Sequence, residues 1–150
     1  MTKQEIEKIL KLYSIYNYTI NNDLSVDVDE NVSLGFNNFK LSPIIFRKIT
    51  RNFFCWNCSN LISLKGFPKE VGEYFACWNC SNLFSLQYAP LKCKIVDFKD
   101  HFLKGNNISK IEADKYLLRR ILLGEYEFID KLSNKNKIQP LLVMKDFNLL

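Results

Sequence analysis

The stretch Phe53-Phe54-Cys55-Trp56-Asn57-Cys58-Ser59-Asn60-Leu61 returns 22 residues later as Phe75-Ala76-Cys77-Trp78-Asn79-Cys80-Ser81-Asn82-Leu83. The offset holds from Ser63-Leu64 to Ser85-Leu86 and from Pro68 to Pro90. A fixed period of this length constrains the fold more than any local propensity. One such unit is too short to bury an apolar face alone, and stacked coils bury it against each other. Within a unit the apolar spacing changes. Phe75 and Cys77 are two apart, on one side of a short strand. Cys80, Leu83 and Leu86 follow at intervals of three, as expected where a strand turns a corner into an irregular or 3₁₀ return path. Gly66-Phe67-Pro68 and Ala89-Pro90 mark the return, where proline is tolerated because no ladder hydrogen bond is needed.

The units read F-x-C-x-N-C-x-N-L-x-S-L-x-G-x-P-x-x-V-G, from Phe53 through Gly72 and again, less completely, from Phe75 to Pro90. This resembles the leucine-rich repeat, L-x-x-L-x-L-x-x-N/C-x-L, with Phe and Cys on the strand and Cys80 at the Asn/Cys position. In particular it resembles the short, degenerate leucine-rich repeat proteins of phages and prophages. The match weakens upstream, where Asn37-Asn38-Phe39 and Arg47-Lys48-Ile49 lie 22 before Ser59-Asn60-Leu61 and Lys69-Glu70-Val71, and it stops after Cys93. The resemblance implies a small protein of a mobile element that acts in the host cytoplasm by binding a host component. Its concrete form is an anti-CRISPR-type inhibitor directed at an RNA-guided nuclease.

With 150 residues, a single domain is expected. No run of 18 apolar residues suggests a transmembrane helix, and Met1-Thr2-Lys3-Gln4-Glu5 does not open a signal peptide. A cytoplasmic location with reduced thiols is therefore expected, in keeping with an odd count of five cysteines. The net charge of +5 is unevenly spread: Asp23, Asp27, Asp29 and Glu30 form an acidic block, and Lys40, Arg47, Lys48 and Arg51 a basic one.

The expected class is α+β: a short leucine-rich-repeat-like solenoid of parallel β coils with an N-terminal helix cap, a β-hairpin and C-terminal helices. Residues 1–17 hold the first helix, with Thr2 and Glu5 as a capping box and Ile6, Ile9, Leu10, Tyr13 and Tyr16 along one face. Residues 18–98 hold a hairpin, turning at Asp29-Glu30-Asn31, and the repeats. Residues 108–150 hold a helical cap, with Ser109 as N-cap and Gly124 as stop, a second short helix over 125–132, and an apolar tail from Pro140 that docks on the solenoid or a partner.

The spacing Cys55-x2-Cys58-x18-Cys77-x2-Cys80 satisfies that of a structural zinc site. The repeat offers a competing account of all four: each pair stacks about 4.8 Å apart, as small buried side chains. That core ladder is the reading adopted, with no cofactor, and a zinc-stabilised adaptor is the alternative. His101 is the only histidine and has no cysteine partner in the pattern.

If Phe53, Cys55, Phe75 and Cys77 point inward, then Asn52, Phe54, Trp56, Tyr74, Ala76 and Trp78 point outward. Exposed aromatic patches on a protein surface mark contact sites, and Trp and Tyr are favoured anchors. Asn52, Phe54, Trp56, Tyr74 and Trp78 are thus the candidate partner-binding residues, the alternative being that a terminal helix or the apolar tail covers this face. Replacing both tryptophans is expected to abolish binding with little change in melting temperature. The chain reads as a non-catalytic interaction module whose partner is a host protein or ribonucleoprotein. A second reading is direct RNA binding through a basic surface of Lys92, Lys94, Lys99, Lys104, Arg119 and Arg120 with aromatics for stacking.

Overall fold

The computed structural model of the chain describes residues 1–95 and 104–124. Within them the fold is a β-solenoid of roughly three turns between two helices. The elements are α1 (Lys3–Leu12), β1 (Tyr18–Ile20), β2 (Val26–Val28), β3 (Val32–Ser33), β4 (Phe46–Ile49), β5 (Phe53–Trp56), β6 (Glu70–Trp78), β7 (Lys92–Ile95) and α2 (Lys110–Leu122). The expected second short helix, the docked tail, Lys99 and His101 lie outside the described residues.

The strands of successive coils pair in parallel. The nine-residue β6 lies against β4 at its start (Lys48↔Glu70, Ile49↔Val71) and against β5 at its end (Phe53↔Phe75 through Trp56↔Trp78). Both registers are offset by 22 residues, the period in the sequence. Where β4 gives way to β5, the Thr50 carbonyl approaches Gly72, and a Cβ there would fall inside the 3.0 Å that real Cβ atoms keep. The glycine of the V-G pair is therefore what lets two coils close at this bend.

The spacing by three is a physical path. Leu61 and Leu83 donate their amide hydrogens to the carbonyls of Cys58 and Cys80. Phe67 and Ala89 donate likewise to Leu64 and Leu86. Cys58, Leu61, Leu64 and Phe67 are all buried, as are Cys80, Leu83, Leu86 and Ala89. Phe53 stacks on Phe75 (5.9 Å, 20°) and meets Phe46 and Phe67 edge-on, so the aromatic strand residues form the centre of the core. On the outside, Asn60 reaches the Asn38 carbonyl, Asn82 that of Ser59 and Asn107 that of Ser81, one coil linking to the one before.

The hairpin is found one strand earlier than the alternation suggests. β1 and β2 pair antiparallel (Tyr18↔Val28), with the turn at 21–25 held by Asn21 and Asp23 and with Leu24 at φ 65°. β3 does not return along β2 but runs parallel to β5. The reason is that 29–31 span two segments of one coil, as 50–52 do in the next. The acidic and basic blocks prove to be neighbouring rungs: Arg47 pairs with Asp27, and Thr50 donates to Asp29 at 2.5 Å.

The ends are closed by the helices. α1 carries the expected capping box but stops at Leu12, before a left-handed Ser14; Ile6 and Leu10 are buried, whereas Tyr16 is exposed. α2 begins as expected, with Ser109 accepting from the Glu112 amide. Its buried face is Ala113, Tyr116, Leu118, Arg120 and Ile121, while Ile111 and Leu122 are exposed. This face meets the carbonyls of the last coil. The Tyr116 hydroxyl donates to Pro90 (2.6 Å), Arg119 to Leu86 and Gln87 (2.6 Å each), and Arg120 to Cys93.

Candidate functional site: an aromatic ladder above a thiol cluster

Strand alternation turns Phe53, Cys55, Phe75 and Cys77 inward, where all four are fully buried. Phe54, Trp56, Tyr74 and Trp78 stand on the other face, each half-buried. Parallel register at an even offset sets Trp56 over Trp78, and their rings stack at 5.5 Å and 14°. Phe54 meets Trp78 edge-on at 6.2 Å. On its other side the Trp56 indole lies against Gly35, where any Cβ would overlap the ring. Phe36 then closes the row, edge-on to Trp56 at 6.4 Å and 74% exposed. The outward face is thus a continuous row: Phe36, Trp56, Trp78, with Phe54 beside it.

Two of the six outward positions behave differently from the expectation. Ala76 is buried (3% exposed), because a methyl paired with Phe54 and flanked by Tyr74 and Trp78 is overshadowed by larger neighbours. Asn52 is bonded within the fold: it donates to Asn31 (2.9 Å) and Glu73 (2.8 Å) and accepts from the Tyr74 amide (3.0 Å). Its role is to bridge the bend between β4 and β5 across three coils.

Sequence reasoning missed how the ladder ends. Phe36, Asn57 and Asn79 have φ of 57°, 54° and 53°, and Gly105 has 69°. They lie at one corner of the stack, joined by amide-to-carbonyl bonds from Phe36 to Trp56, Asn57 to Trp78 and Asn79 to Lys104. Asn and Gly tolerate this left-handed conformation, whereas a phenylalanine there is strained. Asn106 also bonds to this end of β6: its side chain accepts from the Cys80 amide (2.8 Å) and donates to the Cys77 carbonyl (2.7 Å). The available signal was the Asn that follows each Trp, Asn57 and Asn79, since Asn tolerates the left-handed conformation.

Among the described residues, the basic side chains expected on one surface do not share it. Arg120 is 2% exposed and bonded to Cys93, which removes it from any exposed patch. The reason is the cap: a buried coil edge needs donors, and a guanidinium supplies several. Arg119 serves the same edge, and Lys92 faces Glu70 at 4.0 Å. Lys94 is exposed and paired in register with Tyr74; Lys104 is exposed and lends its carbonyl to Asn79.

Beneath the ladder lie the four thiols, all buried and free. Cys55 stands over Cys77 in register, as a core ladder requires. The sulfurs of Cys55 and Cys58 are 3.4 Å apart and those of Cys77 and Cys80 3.6 Å. Cys80 is the hub: hydrogen bonds from Cys55, Cys58 and Cys77 pull its thiol down well below its ordinary value. Cys55 is raised by its bonds to Cys58, Cys77 and Cys80 and by burial. Cys58, although its contact with Cys55 favours the thiolate, is pushed up to about 11 by Cys80 and by burial.

Compared with protein families, curated proteins and solved structures, the chain matches none. Among the described residues, no helix is long and apolar enough to cross a membrane.

Proposed function

We propose that this chain is a non-catalytic interaction module whose partner docks on the aromatic row. The observation that carries the reading is the stacked Trp56–Trp78 pair, half-buried on the outward face and prolonged by the exposed Phe36. Large flat rings fixed by a rigid scaffold offer contact area with little entropy left to lose on binding, which is what an interface anchor needs. The identity of the partner follows the resemblance to phage repeat proteins: a host defence protein or ribonucleoprotein, in the manner of an anti-CRISPR acting on an RNA-guided nuclease in the host cytoplasm. Tagged protein incubated with host lysate, with and without RNase, tests this. The expected result is a defence protein that is captured after RNase treatment and lost when Trp56 and Trp78 are both replaced by alanine. Capture that ignores the tryptophans refutes it.

Direct RNA binding is favoured by one placement, Lys94 beside Tyr74 at the edge of the same face. Of the other cations proposed for it, Arg119 and Arg120 serve the C-terminal cap. RNA binding would weaken steeply between low and moderate salt, and an aromatic protein contact would change little.

A further inference from the structure

Coil stacking explains the cysteine pattern incompletely. A core ladder requires small apolar groups one above another; it does not require four sulfurs to converge. Here Cys55, Cys77 and Cys80 have all their sulfurs within 4.8 Å of one another, and Cys58 lies 3.4 Å from Cys55. Around a zinc ion with Zn–S near 2.3 Å, tetrahedral geometry sets the sulfurs about 3.8 Å apart. The two within-motif separations, 3.4 and 3.6 Å, are close to that edge.

We propose that Cys55, Cys77 and Cys80, with Cys58 as the fourth donor, form a structural zinc site that ties two successive coils together. An all-sulfur donor set also suits zinc and not a hard oxygen-seeking cation. Cys58 is the adjustable ligand, because its sulfur now contacts the Leu34 carbonyl at 3.0 Å and turns away from it to complete the tetrahedron.

Loading is a proton exchange without electron transfer. Zn²⁺ displaces only the protons that the coordinating sulfurs still carry, and a lone pair of each sulfur becomes the metal bond. With the thiols buried, the ion enters as the coils close, so loading accompanies folding.

The test uses the full reduced chain and cobalt(II) as the optical probe. The expected result is one cobalt per chain with the visible bands of tetrahedral thiolate coordination, displaced by zinc. Zinc should also raise the melting temperature relative to chelator-treated protein. Cobalt should quench the fluorescence of Trp56 and Trp78, each adjacent in sequence to a ligand. Cys77→Ala with Cys80→Ala should lose the bands, whereas Cys93→Ala should keep them. Fully reduced wild type that refolds in the presence of cobalt or zinc and takes up neither metal overturns the proposal, without reliance on any variant folding. So does a cobalt spectrum that survives the double substitution.

Discussion

Replacing Trp56 and Trp78 by alanine, singly and together, separates the ladder's contribution to the fold from its contribution to binding. Full burial of a tryptophan is worth about 3–5 kcal/mol on truncation to alanine. Both rings are half-buried, so each single variant should lose about 2 kcal/mol. In a domain of this size that lowers the melting temperature by roughly 4–8 °C. Sequence alone suggested almost no change, but Trp56 packs on Gly35 and Trp78 on Phe54. The ring pair at 5.5 Å and 14° adds a coupling of about 1 kcal/mol beyond the area it buries. A double-mutant cycle in urea should therefore show the double variant losing about 1 kcal/mol less than the sum of the singles. Partner affinity, measured in parallel on folded protein, should fall by about 30-fold or more per ring if these are anchors. Additivity within about 0.3 kcal/mol would refute the stacking argument. Unchanged affinity would refute the docking face whatever the cycle shows.

Other perturbations probe the scaffold. Gly72→Ala forces a methyl against the Thr50 carbonyl and should cost about 3 kcal/mol or prevent folding, read by circular dichroism on heating. Phe36→Asn should raise stability by about 1 kcal/mol by relieving the left-handed strain, yet weaken partner binding, since it removes the exposed end of the row. Tyr116→Phe should lose about 1 kcal/mol at neutral pH, with the hydrogen bond to Pro90. Burial, with a smaller contribution from Cys93, raises the Tyr116 pKa well above 10. The folded state therefore holds this proton more tightly than the unfolded chain. That stability is complete below pH 10 and lost as pH rises above it. Wild type should lose more stability between pH 10 and 12 than Tyr116→Phe does, by urea denaturation across that range.

The repeat made the centre of the molecule legible because register in a solenoid is a property of the period. Phe53 over Phe75, Cys55 over Cys77 and Trp56 over Trp78 all follow from one offset. The caps were legible where local chemistry sets them, at Thr2-Glu5 and Ser109-Glu112. The hairpin was misplaced because Val26, Val28, Val32 and Leu34 alternate continuously through a bend. Alternation reports burial, not which strand lies alongside. Arg120 was misread for a related reason. Charge suggests solvent, and only the location of the open carbonyls at Leu86, Gln87, Pro90 and Cys93 shows that donors are wanted inside. Trp56 and Trp78 could be placed by parity, but their mutual angle and their seat on Gly35 depend on neighbours 21 or 22 residues away.

The closure of each end by a helix has a mechanical consequence. Tension applied between α1 and α2 acts along the stack, so that the coils peel away from one another singly. Each freed coil of 22 residues lengthens the chain by about 70 Å, its extended length less one strand spacing. The caps are the first elements under load. Arg119, Arg120 and Tyr116 grip the last coil by four backbone carbonyls, so this small set of bonds sets the force at which unravelling starts from the C-terminal side.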